Sequence, residues 1–234
     1  RQNPAANLNF GYRAADEVRR QFLIPLWNVY SFFVTYANID GYDPTTKAPG
    51  IKDRPELDRW ILSELQILIV NVSTFLDDYQ PDKATRLLEE FVNDLSNWYV
   101  RRSRRRFWRS DTDTDKLSAY ETLYECLVTI IKLLAPMTPF ITEKIYQNLV
   151  GKLGNGKGSV HLEDFPEAKE KYVDEDLSEA TRLAMKLCSL GRSARSQAGI
   201  KVRQPLNEML VKLRFPAEEK HLNRVLHQII EELN

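Results

Sequence analysis

The stretch Asn97-Trp98-Tyr99-Val100-Arg101-Arg102-Ser103-Arg104-Arg105-Arg106-Phe107-Trp108-Arg109 constrains this chain more than any other. It closes a helical pattern that begins after Pro81. At about 100° per residue, Leu87, Leu88, Phe91, Val92, Leu95, Trp98 and Tyr99 fall within one arc of roughly 140°. Arg101, Arg102, Arg105, Arg106 and Arg109 continue on nearly the same arc. The apolar part of such a stripe requires other helices against it; the arginine part requires water, carboxylates or phosphates. The chain therefore reads as a helical bundle with a basic stripe where the bundle meets a polyanion or an acidic neighbour. With 33 acidic residues against 33 basic ones, ion pairing and phosphate binding both remain open. The interleaved Trp98, Tyr99, Phe107 and Trp108 would stack on unpaired bases, and they are also ordinary core anchors. Trp98 and Tyr99 continue the apolar face and are assigned to the core.

The 234 residues suffice for one large helical domain, or for a domain with an appendage. A zero net charge confines any nucleic-acid site to a local patch. No apolar run reaches the length of a membrane span, and no secretory leader is visible. Cys126 and Cys188 lie far apart without Cys-x-x-Cys spacing, so they indicate neither a zinc site nor a disulfide framework and fit a reducing compartment. The chain opens at Arg1 and stops inside a helical pattern at Asn234, as expected of a piece of a longer protein.

Six further helical patterns accompany the basic one. The first spans about 14–38 with Val18, Phe22, Leu26, Val29, Tyr30, Phe33 and Tyr36 as its apolar set, and Pro25 should kink it. The second starts near Pro55 and runs to about Tyr79. After the basic stretch, residues 110–115 form a polar turn full of N-cap candidates, followed by a helix over roughly 116–134. Another helix follows over 138–150, with Thr138 as its N-cap and Pro139 in its first turn. The glycine-rich segment 151–158 lacks the Gly-Lys-Ser/Thr ending of a phosphate loop and reads as a flexible connection. Val160-His161-Leu162 reads as one short extended piece. The remaining helices should cover about 174–197 and 216–233, with Met209-Leu210-Val211-Lys212-Leu213 as a strand between them. His161, His221 and His227 have no nucleophile or ligand partner at a telling spacing, the latter two reading as surface residues, and no carboxylate pair stands out as an acid/base couple.

Several motifs together resemble the anticodon-binding region of isoleucyl-tRNA synthetases, a family of class Ia aminoacyl-tRNA synthetases. Leu26-Trp27-Asn28-Val29-Tyr30-Ser31-Phe32-Phe33, with Tyr36-Ala37-Asn38-Ile39-Asp40 after it, resembles the family's first anticodon-domain helix. Asp58-Arg59-Trp60-Ile61-Leu62-Ser63 resembles the second, and 97–108 the family's arginine-rich Trp-Tyr motif. Leu134-Ala135-Pro136-Met137-Thr138-Pro139-Phe140-Ile141-Thr142-Glu143 is similar to a helix pair shared by the valyl, leucyl and isoleucyl types. Gly191-Arg192-Ser193-Ala194-Arg195, with Ile200-Lys201-Val202-Arg203-Gln204-Pro205-Leu206, resembles the segment after the bundle and, with the arginine motif, favours the isoleucyl type. The family's two catalytic signatures and its Cys-rich zinc module are absent from these residues.

The resemblance implies a mainly α fold: the anticodon-binding helical bundle of class Ia synthetases, with a small α+β appendage on the C-terminal side. It implies residues 1–12 as a linker from the catalytic body, 13–158 as the bundle, and 159–234 as a truncated C-terminal helix plus a small α/β segment. The implied work is binding and positioning the anticodon arm of isoleucine tRNA within an isoleucine-tRNA ligase. The candidate tRNA-binding residues are Asn28, Phe32, Arg101, Arg102, Arg105, Arg106, Arg109, Arg192, Arg195, Lys201 and Arg203. No cofactor is expected in this piece; ATP and magnesium would serve the catalytic domain elsewhere in the same chain. The other expected traits are no membrane contact, a monomer and a cytoplasmic location. Two alternatives stay open: a helical docking module that joins domains without touching tRNA, and the same domain of a valyl-type relative.

Overall fold

The computed structural model describes residues 11–46, 48–111, 113–154 and 156–233. Most of the expected linker, residues 1–10, lies outside them. The chain forms two compact units, the first ending at Val173 and the second beginning at Asp174.

The first unit is built from α1 (Tyr12–Val18), α2 (Ile24–Asp40), α3 (Glu56–Asp77), α4 (Pro81–Asp94), α5 (Arg101–Trp108), α6 (Thr114–Leu134) and α7 (Pro139–Leu149). α3 packs against α4 and α6, and α6 also packs against α2, α5 and α7. α6 shows why these segments are helical. Asp113 caps it by accepting the backbone N–H of Lys116 at 2.8 Å. Leu123, Leu127, Ile130, Ile131 and Leu134 then recur at the helical period and are all buried. On α3, Trp60, Ile61, Leu65, Leu68, Ile69 and Val72 do the same. Each such side chain contributes about 1.5–3 kcal/mol on burial.

Pro25 does not simply kink the first helix. A π-helical turn, Arg19–Leu23, separates α1 from α2 and places Pro25 in the first turn of α2. There its missing N–H and its ring meet no regular i−4 carbonyl. A second π-helical turn, Leu95–Val100, separates α4 from α5. Thr138 occupies the N-cap position of α7, but its hydroxyl makes no cap hydrogen bond.

The glycine-rich connection is tied down. Gln147 Nε2 donates to the Gly158 carbonyl at 2.6 Å, and the Lys157 N–H donates to Glu163 Oε1 at 2.9 Å. A Cβ on Gly156 would stand 1.9 Å from the Tyr146 hydroxyl, so only glycine fits there. Residues 160–162 form a 3₁₀ turn, not an extended piece, because the Ser159 hydroxyl accepts the His161 N–H at 3.2 Å and starts a turn. Residues 159–173 are held to the bundle: the Val160 N–H donates to Glu143 at 2.9 Å, and the Lys169 N–H to Gln66 at 2.8 Å.

The second unit holds α8 (Glu175–Gln197) and α9 (Glu218–Leu233), which pack against each other. At Gly191 a Cβ would meet Leu233 at 2.5 Å, which explains a glycine inside a helix. The expected strand over 209–213 does not form, and no strand occurs among the described residues. A strand needs a ladder partner, and with no other strand among the described residues the α+β character expected of the appendage is not shown there. His221 is less open than expected of a surface residue, with Nε2 3.4 Å from Asp176 Oδ1. Cys126 and Cys188 are both buried.

Two helical stretches, Tyr12–Asp40 and Glu56–Asp77, are long and apolar enough to cross a membrane, contrary to the expectation from the sequence. The second is a bundle core helix, with Trp60, Ile61, Leu62 and Leu65 almost fully buried.

Candidate nucleic-acid interface

The π-turn decides where the arginines point. Across Leu95–Val100 each residue advances the helix by less than 100°, so the stripe counted from Pro81 drifts out of register. Trp98, Tyr99 and Val100 become three consecutive buried residues, and the buried face then runs through Ser103, Arg106 and Phe107. The five arginines expected on one stripe therefore divide. Arg101, Arg105 and Arg109 are exposed, Arg102 is half-buried and Arg106 is buried; Arg104, outside the expected stripe, is exposed as well.

Arg106 belongs to the core. Its Nη1 and Nη2 donate to Asp58 Oδ1 and Oδ2 at 2.6 and 2.7 Å, a two-pronged pair with a fully buried carboxylate. Tyr99 Oη donates to the same Asp58 at 2.8 Å, and Nη2 also donates to the Asp115 carbonyl at 2.7 Å. The Arg106 Nε lies 2.9 Å from Asp115 Oδ1, an ion contact without hydrogen-bond alignment. Burial works against the guanidinium's charge, but the hydrogen bond to Asp58 and the neighbouring charges, those of Asp58 and Asp115 among them, together outweigh it and hold its pKa above the usual value. Burial, and then the Asp58 charge, push the Tyr99 hydroxyl well up.

Arg109 also faces acidic groups, with Nη1 3.3 Å from Asp115 and 3.5 Å from Asp113. Its carbonyl accepts from the buried Lys116 Nζ at 2.7 Å, and that ammonium lies 2.6 Å from Asp40 Oδ2. Tyr120 donates to the same Asp40 oxygen. Burial alone would raise the Asp40 carboxyl; the bonds from Lys116 and Tyr120 outweigh it and hold it below its usual range. This corner joins the end of α2 to the start of α6.

The outer arginines have different neighbours. Arg102 and Arg101 lie over the Trp98 ring at 5.2 and 5.9 Å, and Arg101 Nε donates to the Asn97 carbonyl at 2.8 Å. Trp108 is exposed, and its Nε1 donates to Tyr36 Oη at 2.8 Å. Phe32 is half-buried and meets Phe107 edge-on, with centroids 5.1 Å apart. Asn28, exposed, lies one and two helical turns before Phe32 and Tyr36 on the same face of α2. The structure thus brings the face bearing Asn28, Phe32 and Tyr36 against the Phe107–Trp108 end of α5.

The other four candidates lie in the second unit. Arg195 is buried: Nη1 donates to the Lys201 and Gln204 carbonyls at 3.0 and 2.7 Å, and Nη2 to the Leu233 carbonyl at 2.6 Å. It clamps the connection between α8 and α9. Arg192 pairs with Glu232. Lys201 and Arg203 are exposed. Among the described residues no group of three His, Cys, Asp or Glu could hold a metal ion.

Arg104 was not singled out from the sequence, and Trp108 was named only among four interleaved aromatics, not among the site residues. Their signal is the spacing 101, 104, 105, 108, which is one face of a helix when counted from within α5.

The fold defines a helical-bundle class, with an arginine-lined outer face on α5. Comparison narrows the class. The sequence matches the family described as the anticodon-binding domain of tRNA ligase over residues 58–210, and the chain belongs to that family. It is 56% identical over 232 residues to the isoleucine–tRNA ligase of Dehalococcoides mccartyi, covering 99% of this chain and 23% of that one. It is 46% identical over 233 residues to that of Thermus thermophilus, covering 99% of this chain and 22% of that one. The isoleucine–tRNA ligase of Bacteroides fragilis is 44% identical over 234 residues, with 20% of its length covered. The chain thus spans about a fifth of the length of these relatives.

Proposed function

We propose that this chain is the anticodon-arm-binding part of an isoleucine-tRNA ligase, and that its bundle positions isoleucine tRNA for the catalytic part of the longer protein. The single observation that carries the reading is the outward arginine face of α5 on a member of this family. Backbone phosphates would meet the arginines and set register, while unpaired bases of the anticodon loop would be read by stacking and edge hydrogen bonds. Arg101, Arg102 and Arg105, with Asn28 and Phe32 on the adjoining α2, form this surface in the first unit. Lys201 and Arg203, exposed in the second unit, are proposed as separate tRNA contacts. ATP and magnesium would be used by the catalytic part, and no step of that chemistry is assigned to these residues. The protein would act as a cytoplasmic monomer without membrane contact.

The test is salt titration of fluorescent isoleucine tRNA binding to the 234-residue chain. Each phosphate contact steepens the log–log dependence of affinity on salt by about 0.7–0.9. A steep dependence is the expected result. No measurable binding at low salt would overturn the reading in favour of a docking bundle.

A further inference from the structure

The outer face of α5 carries more than charge. Arg101, Arg104, Arg105 and Trp108 recur at i, i+3, i+4 and i+7, and all four are exposed. Among the described residues Arg104 and Arg105 make no ion pair, whereas Arg106 and Arg109 face carboxylates. Trp108 ends the row with 58% of its surface open. Its one polar atom is already satisfied, because Nε1 donates to Tyr36 Oη at 2.8 Å. That bond fixes the edge of the indole ring, so what Trp108 still offers a partner is apolar ring surface, within about one helical turn of two guanidinium groups.

We infer that Arg104, Arg105 and Trp108 form one composite RNA contact, in which the two guanidinium groups hold backbone phosphates and the Trp108 ring stacks on an unpaired base beside them. This rests on the proposed tRNA-binding function and names residues for it. An acidic protein surface would satisfy the guanidinium groups and leave the ring without a matching flat apolar partner. A single-stranded nucleotide supplies both an anion and a π-face. A duplex would supply only the anion, so the contact selects a looped or unpaired segment.

The experiment uses the whole chain and isoleucine tRNA, with heparin and polyglutamate as polyanions that lack bases. Trp108→Ala should weaken tRNA binding roughly 5- to 150-fold, the range of one base–aromatic stack, while leaving the salt slope unchanged. Trp108→Phe should keep most of the affinity, since a ring remains. Arg104→Gln and Arg105→Gln should each lower the salt slope by about 0.7–0.9. In a Trp27→Phe background, Trp108 is the exposed tryptophan of the first unit, since Trp60 and Trp98 are buried. tRNA should quench its fluorescence, and heparin should not. Circular dichroism and thermal melting of each variant separate a lost contact from a lost fold. If the parent binds tRNA but Trp108→Ala binds equally well, the composite contact is overturned and the proposed function stands. If heparin and polyglutamate bind as tightly as tRNA, the face is a general polyanion contact and the inference also fails. If the parent binds no tRNA, the proposed function itself falls.

Discussion

Arg105 and Arg106 are neighbours in sequence and about 100° apart around the helix, and that angle separates their fates. Arg105 is exposed. Arg106 grips the fully buried Asp58 with two hydrogen bonds. Arg106→Gln leaves a buried carboxylate without its counter-charge and should destabilise the first unit by about 3–5 kcal/mol, read by denaturant unfolding. Arg105→Gln should change stability by less than about 0.5 kcal/mol. A residue-scale pH effect belongs to Glu163. It accepts from Lys132 Nζ at 2.7 Å, Tyr146 Oη at 2.6 Å and the Lys157 N–H at 2.9 Å, and the Lys132 bond foremost holds its pKa down to about 2. Its contribution is therefore complete above the ordinary glutamate range and is lost as pH falls through about 2. Glu163→Gln should cost stability at pH 7, and the difference from the parent should shrink below about pH 4.5. A difference that stayed constant down to acid pH would contradict the assignment.

At the scale of elements, the α3–α4 turn places Tyr79 at φ 56°, the only described non-glycine residue in the left-handed region. The turn is closed by the Gln80 N–H donating to the Phe75 carbonyl at 2.7 Å, and the Tyr79 side chain is exposed. With no packing to compensate the strain, Tyr79→Gly should stabilise the protein by about 1 kcal/mol. Unchanged or lower stability in thermal melts would count against that reading. The elements also show what the sequence discloses and what it conceals. The helices of α3, α6, α7 and α8 were legible from periodicity, prolines and caps, because those signals are local. The π-turn at Leu95–Val100 was not: it answers to the packing of Trp98, Tyr99 and Val100 against the bundle, and counting at a constant angle passes through it. Within the regular helix α5, Arg104 and Trp108 share a face and Arg105 and Arg106 stand about 100° apart whatever precedes them; the turn sets which of these faces meets the bundle. The segment 209–213 has the composition of a strand, but composition supplies no ladder partner, and it stays irregular.

For the whole molecule, family membership was legible from motifs such as Asp58-Arg59-Trp60 and the arginine stretch, yet those motifs mix two kinds of residue. Asp58, Tyr99 and Arg106 form a buried polar network joining α3 to the end of the π-turn and α5. Arg195 forms a second clamp, inside the other unit. Both are arginines that a motif alone would assign to RNA. The outer face of α5 is left as the surface on which the charge of the motif is available to a partner, in a chain whose net charge is zero.

The central claim is that the arginine stretch divides into an RNA-binding part, Arg104 and Arg105, and a structural part, Arg106 and Arg109, paired with carboxylates of the same chain. It is tested most directly by measuring the salt slope of isoleucine tRNA binding for the parent, for the double variant Arg104→Gln/Arg105→Gln, and for Arg109→Gln. The account predicts a slope shallower by about 1.4–1.8 for the double variant and unchanged for Arg109→Gln, with folded spectra throughout. A slope that flattens equally on losing Arg109, or that ignores the loss of Arg104 and Arg105, would contradict it.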